Sequence, residues 1–224
     1  MPSTLVLIAN GTEEMEFTIV FDTLVRAGIE CTSAFVPAEE EIGLAHAGGW
    51  GIDSPTVTCS RGVKIVSDTT LEALQSVGTK NVYDAVIIPG GAKGADTLAR
   101  SQAVQELVAS QYEGSRLIGM ICAGTLVAKT SKLPKQPITS HPSVKRQLES
   151  DYEYKEESVV VSGKLVTRQV CRLLTSPYCH YSGFLLFVEI TNYLRPILTP
   201  QSWSGYSIPF CIQNHRAPLR GSQS

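Results

Sequence analysis

RLIGMICAG, residues 116–124, followed by TLVAKTSK, residues 125–132, decides the fold. An apolar run of strand length stops at small residues, and a stretch with helical character opens at once. The same step occurs earlier: TLVLIAN (4–10) reads as a buried strand, and TEEMEFTIVFDTLVRAG (12–28) as a helix ending at Gly28 as a C-cap. IECTSAFVP (29–37) supplies a further strand. VKIVSDTTLEAL (63–74) gives a short strand leading into a helix that Asp68 or Thr69 could cap. YDAVIIPGG (83–91) is a strand stopped by two glycines, AVQELVASQYEG (103–114) is an amphipathic helix, and VVVSGKLVT (159–167) reads as a late strand pair. Alternating strands and helices of these lengths predict an α/β fold with a mostly parallel sheet covered on both faces. Ligands of such folds bind beyond the carboxyl ends of the strands. Glu16, the Gly90-Gly91 turn and Cys122 each follow a strand, so they could share one rim.

Composition narrows the function classes. The chain has 224 residues, 43% hydrophobic and 18% charged, enough for one sizeable core and an additional tail. Its net charge of -2 and unclustered basic residues argue against nucleic acid and anionic membranes as partners. The start, MPSTLVLIANGTEEME, has no basic leader and too short an apolar run for a signal or a span, which predicts a soluble intracellular protein. Six cysteines, at 31, 59, 122, 171, 179 and 211, form no CxxC pair, so neither a zinc site nor a disulfide framework is expected.

Cys122 is placed where a thiol could act as a nucleophile. A helix N-terminus lowers the pKa of such a thiol, while the alternative is a buried, inert cysteine. Ala123 and Gly124 would let a substrate approach, and the N–H groups of Ala123 and Gly91 could hold an oxyanion. Glu13 and Glu16, three apart, lie near one helix face. They are either a solvated acidic face or, beside a thiolate, a source of a carboxyl that moves a proton. His141, in ITSHPS, is structural unless the fold brings it to Cys122.

ANGTEEMEF, SRGVKIVSD, YDAVIIPGGAKGA, LIGMICAGT and ITSHPS, in this order, resemble the ThiJ/PfpI superfamily and its Parkinson disease deglycase branch, fungal glutathione-independent glyoxalases (glyoxalase III) in particular. The resemblance covers roughly residues 3–167. It implies a flavodoxin-like three-layer sandwich, usually a homodimer, with Cys122 as nucleophile at a strained elbow, Glu16 as its carboxyl partner and His141 nearby. Gly90, Gly91 and Ala123 match backbone positions that line the family's site, and Glu13 and Arg61 match positions around its dimer contact. The implied reaction is that of a lyase of the D-lactate dehydratase type, turning methylglyoxal or another small 2-oxoaldehyde into a 2-hydroxy acid with no cofactor and no metal. The implied setting is dicarbonyl detoxification under stress, in the cytoplasm and also the nucleus. Rival expectations are a thiol redox sensor or chaperone of the same superfamily and a class I amidotransferase or hydrolase. Against the latter, Met120 breaks the GxCxG pattern and no clear His-x-Glu pair follows.

Two stretches depart from the pattern. Residues 38–62, AEEEIGLAHAGGWGIDSPTVTCSRG, form a long glycine-rich connection. After Thr167 the family leads directly into a Ser-Arg-Gly-Pro-Gly-Thr type turn and a final helix, whereas this chain reads RQVCRLLT. The expected organisation is therefore an α/β domain over 1–167 and an atypical tail over 168–224. Read one base later, codons for residues 201–223 permit SRGPGTAFPFAFKTIEHLCGAPK, the missing turn and helix. The tail is accordingly expected to be a translated intron followed by a frameshifted domain end, and an inactive product of a mis-spliced message stands as a further rival expectation. Cys171, Cys179, Cys211, His180 and His215 would then carry no ligand role.

Overall fold

A computed structural model describes residues 1–41, 55–76 and 82–169. The proposed intron-derived segment from residue 170 onward and most of the glycine-rich connection, residues 42–54, lie outside the described residues. Seven strands form one sheet in the order β10-β11-β7-β6-β1-β2-β5. These are β1 (Ser3–Ile8), β2 (Glu30–Phe35), β5 (Thr69–Thr70), β6 (Ala85–Ile88), β7 (Leu117–Ile121), β10 (Val159–Ser162) and β11 (Leu165–Arg168). Every neighbouring pair is parallel except β10 with β11, the hairpin read from VVVSGKLVT. The central strands are apolar throughout because helices cover both faces: Val6, Leu7, Ile8, Val86, Ile87 and Ile88 have no exposed surface.

Helix α1 (Glu14–Arg26) follows β1, and its C-terminus closes as predicted near Gly28. Ala27 is the capping residue; Gly28, at φ 75°, donates to Val25 O and Ile29 donates to Leu24 O, the paired bonds of a left-handed helix stop. The next helix, α2 (Leu71–Ser76), corrects a sequence expectation. Its cap is Thr70, whose hydroxyl accepts from Ala73 N at 3.0 Å, while Asp68 instead accepts from Ser33 N and Oγ at the sheet edge. Between β6 and β7 lie α3 (Ala92–Arg100), which the sequence pattern did not reveal, and α4 (Gln102–Glu113), capped by Ser101. Strand β7 ends in a 3-10 turn, Cys122–Thr125, that runs into α5 (Leu126–Thr130).

A small antiparallel hairpin, β3 (Thr56–Thr58) with β4 (Lys64–Val66), emerges from the end of the glycine-rich stretch. It docks on the β1-α1 turn: Gly11 N donates to Thr58 O, Ser60 N to Thr12 O, and Thr58 N to Asn10 Oδ1. On the other side of the site, β8 (Pro137–Ile138) pairs with β9 (Glu153–Tyr154), and α6 (Lys145–Leu148) follows a second 3-10 turn, Pro142–Val144. Arg168, assigned by sequence to the tail, is the last residue of β11 and only 2% exposed. Its Cα partner across the sheet is Ile121, the residue before Cys122. Among the described residues no helix is long and apolar enough to cross a membrane.

Candidate active site

Three parallel strands deliver the site. β1 leads through the turn at 10–13 into α1 and Glu16, β6 ends at Pro89-Gly90-Gly91, and β7 ends at Cys122. Because β6 lies between β1 and β7, the glutamate and the cysteine meet over the Gly90 turn. The Gly90 amide donates to Glu16 Oε2 at 2.7 Å. A Cβ built on Gly90 would stand 2.7 Å from that oxygen, 2.8 Å from Cys122 Cβ and 3.0 Å from Ala123 N, so only glycine leaves room. The Cys122 thiol hydrogen-bonds the Glu16 carboxylate.

Cys122 adopts φ 57°, a left-handed conformation that costs a non-glycine residue about 1–3 kcal/mol. The main chain holds it there: His141 N donates to Cys122 O at 3.1 Å, and Ala123, Gly124 and Thr125 behind it are buried. The elbow thus holds a cysteine of intermediate burial, its thiol turned inward, on a seat fixed by the main chain. That is the strained elbow expected from the family resemblance.

The protonation pattern differs from a simple helix-activated thiolate. Burial pushes the Cys122 thiol above its ordinary value of 9.0, and the charge and hydrogen bond of Glu16 push the same way; the Ala123 amide opposes them. A buried thiol hydrogen-bonded to a carboxylate keeps its proton, which outweighs the short helix behind it. Burial likewise raises the Glu16 carboxyl from 4.5 to about 7, against the Gly90 amide and the Cys122 thiol, which lower it; Glu13 adds to the rise and Arg168 to the fall. Glu16 is 8% exposed. The resting pair is therefore a protonated thiol beside a carboxyl that itself titrates near neutrality.

The remaining residues named from sequence take distinct places. Glu13 caps α1, its Oε2 accepting from Glu16 N at 2.8 Å, and its own N–H donates to Gly90 O. Ala123 N–H supports the Cys122 sulfur. Gly90 N–H, expected from the resemblance to line the site, is committed to Glu16, and Gly91, read from sequence as an oxyanion donor, is the N-cap of α3. The His141 ring bonds Ser143, with Nδ1 accepting from Ser143 N at 3.2 Å and lying 2.8 Å from Ser143 Oγ. An accepting Nδ1 places the proton of the neutral ring on Nε2. His141 is thus joined to Cys122 through main chain, and its ring is held by its own turn. Arg61 is exposed at the hairpin turn.

Two residues were missed by sequence reasoning. Glu14, next to the catalytic candidates, accepts from Ser60 Oγ at 2.7 Å and Arg61 N at 2.9 Å and so ties α1 to the hairpin. Burial alone would raise its carboxyl, yet these bonds and its own amide hold it below its ordinary range. Arg168 brings a buried positive charge within reach of Glu16. No periodicity marks either; only the break from the expected turn at 168 signalled that something unusual stands there.

The whole arrangement matches a known family. The family model described as DJ-1/PfpI matches residues 2–174. The chain belongs to the DJ-1/PfpI family. It is 38% identical over 167 residues to the Drosophila melanogaster protein dj-1beta, covering 74% of this chain and 79% of that one. It is 37% identical over 172 residues to the glutathione-independent glyoxalase DJ-1 of Schizosaccharomyces pombe, covering 75% of this chain and 83% of the relative. The solved structure of Schizosaccharomyces pombe DJ-1 superposes with a TM-score of 0.69 at 31% identity, over 89% of this chain and 94% of that one. The DJ-1 neighbours share the flavodoxin-like α/β sandwich, and a glyoxalase role for this DJ-1/PfpI chain has support in the name of a relative at this identity.

The tight Gly90 turn carries a prediction. Gly90→Ala places a methyl against both Glu16 and Cys122, so one of them must shift. Turnover is expected to fall by about 10²-fold, with a stability loss of about 1–3 kcal/mol. Paired activity assays and urea unfolding check it, and wild-type turnover in the variant contradicts the close approach.

Proposed function

We propose that the protein is a glutathione-independent glyoxalase that converts methylglyoxal and related 2-oxoaldehydes to 2-hydroxy acids such as lactate, a lyase of the D-lactate dehydratase type. The observation that carries this reading is the meeting of the Cys122 thiol and the raised Glu16 carboxyl over Gly90. As Cys122 Sγ attacks the aldehyde carbon, its proton passes to Glu16 and the carbonyl oxygen becomes an oxyanion facing the Ala123 amide. Glu16 returns that proton to the oxygen, giving a neutral hemithioacetal. Glu16 then removes the hydrogen from the former aldehyde carbon, forming an enediolate, and returns that proton to the neighbouring carbon, while the hydroxyl proton of the first carbon passes to the oxygen of the second. The first carbon is oxidised to a thioester while its neighbour is reduced to an alcohol, so no outside oxidant is needed. Water cleaves the thioester and restores the thiol.

A carboxyl near pKa 7 suits this cycle, because it must take and return protons at similar cost. The test is incubation of purified protein with methylglyoxal in the absence of glutathione. Lactate accumulating over many turnovers supports the reading; a folded protein with a titratable Cys122 and no lactate overturns it.

We further propose a homodimer formed through the N-terminus of α1 and the hairpin turn beside it. Arg61 is exposed there, as are Met15 (57%), Val63 (50%) and Val66 (61%). Glu13 and Arg61 border this face. Dicarbonyl detoxification in the cytoplasm and nucleus fits such a catalyst. The tail from residue 168 onward is proposed to derive from a retained intron. Sequencing of cDNA across codons 160–224 is expected to show a spliced message encoding SRGPGT after LVT, and a message that is unspliced throughout contradicts it.

A further inference from the structure

Glu13 stands at the meeting point of the three parts of the site, and the dimer role expected from sequence does not use what its carboxylate does. Its Oε2 accepts from Glu16 N at 2.8 Å, as the N-cap of α1. Its amide donates to Gly90 O at 3.0 Å, while Glu16, in the first turn of the same helix, accepts from Gly90 N with its Oε2 at 2.7 Å. One glycine is therefore gripped at both its polar atoms by residues three apart on one helix start. The capping bond closes that grip, since it fixes the backbone of Glu16, and with it the direction in which the Glu16 side chain leaves the helix. Without the cap, the first turn of α1 is free to fray, and Glu16 moves away from both Gly90 and Cys122.

We propose that Glu13 is a positioning residue for the reaction of Cys122: its capping carboxylate locks Glu16 against Gly90 and stands as a fixed negative charge beside the Glu16–Cys122 pair. This rests on the glyoxalase reading for its kinetic arm only. The charged and titratable groups facing the pair are Glu13 at the cap, Arg168 from β11, and the two members themselves, on α1 and at the end of β7. Glu13 disfavours ionisation of both members, and Arg168 favours it in Glu16. Removing the Glu13 charge should therefore let the pair lose protons at lower pH.

Three variants separate cap from charge. Glu13→Asp keeps both functions and should behave as wild type. Glu13→Gln keeps a capping oxygen and loses the charge; Glu13→Ala loses both. The first readout is the pH dependence of Cys122 alkylation by iodoacetamide, followed on the Cys122 peptide by mass spectrometry, which needs no turnover. Its midpoint is expected to move to lower pH in Glu13→Gln and to stay in Glu13→Asp. The second readout is turnover of methylglyoxal, where Glu13→Ala should lose about 10²-fold in kcat with KM little changed. An unmoved alkylation midpoint in Glu13→Gln, or wild-type kcat in Glu13→Ala, overturns the proposal. So does recovery of Glu13→Ala activity at high protein concentration with a size-exclusion shift to monomer, which would return Glu13 to a dimer contact. A wild-type protein that makes no lactate defeats the glyoxalase reading and leaves the alkylation arm to decide this one.

Discussion

Glu16→Gln is expected to fold, to keep the Gly90 contact, and to lose about 10²- to 10⁴-fold in turnover of methylglyoxal. The glutamine carbonyl can still accept from Gly90 N, the bond now made at 2.7 Å. What it cannot do is take the Cys122 proton or remove the substrate hydrogen. The same substitution has a signature in stability. The folded state holds the Glu16 proton more tightly than the unfolded chain, because burial raises the carboxyl from 4.5 to about 7. Folding is therefore favoured at low pH, and this contribution is lost as pH rises through that window, by about 3 kcal/mol in all. Glu16→Gln removes the slope. Urea unfolding across pH should show the variant gaining on wild type between pH 4.5 and about 7 and holding a constant lead above it. Parallel curves would place the Glu16 carboxyl at an ordinary value and remove its raised pKa from the mechanism.

The strands of the sheet and the rim they create were legible because their sequences are long, apolar and stopped by small residues. TLVLIAN, YDAVIIPGG and RLIGMICAG became β1, β6 and β7, and the three residues following them converge as parallel topology requires. Helix α3 was hidden because AKGADTLAR is short and holds a glycine, which lowers helix propensity, and its stability comes from burying Ala95, Leu98 and Ala99 in the core. Strand β3, three residues long, has no periodicity to read and owes its existence to pairing with β4.

Electrostatics was the least legible part. The small residues after Cys122 suggested a helix-lowered thiol, but a thiol's pKa depends on what folding buries around it. Here the largest influence is desolvation, then Glu16, and neither is visible in GMICAGT. The acidic run EEME looked like one face. In the folded protein its members divide: Glu13 caps the helix, Glu14 binds the hairpin, Met15 faces outward, and Glu16 enters the site. Arg168 could not be placed from sequence because nothing in LVTR reveals that the strand continues into a buried guanidinium beside the strand that leads to Cys122.

The account stands most directly on Cys122. Serine fits the elbow, with a smaller side-chain atom in the same left-handed backbone, so Cys122→Ser should fold as wild type does. Its hydroxyl is a far weaker acid than a thiol, and Glu16, with a pKa of about 7, is too weak a base to activate it. Removal of a nucleophile abolishes the covalent route outright, and a loss of at least about 10³-fold is expected. The decisive measurement is lactate formed from methylglyoxal, without glutathione, by wild type and Cys122→Ser at equal concentrations of folded protein. The account predicts continuous lactate production by the first and only the uncatalysed background with the second; comparable lactate from both would contradict it.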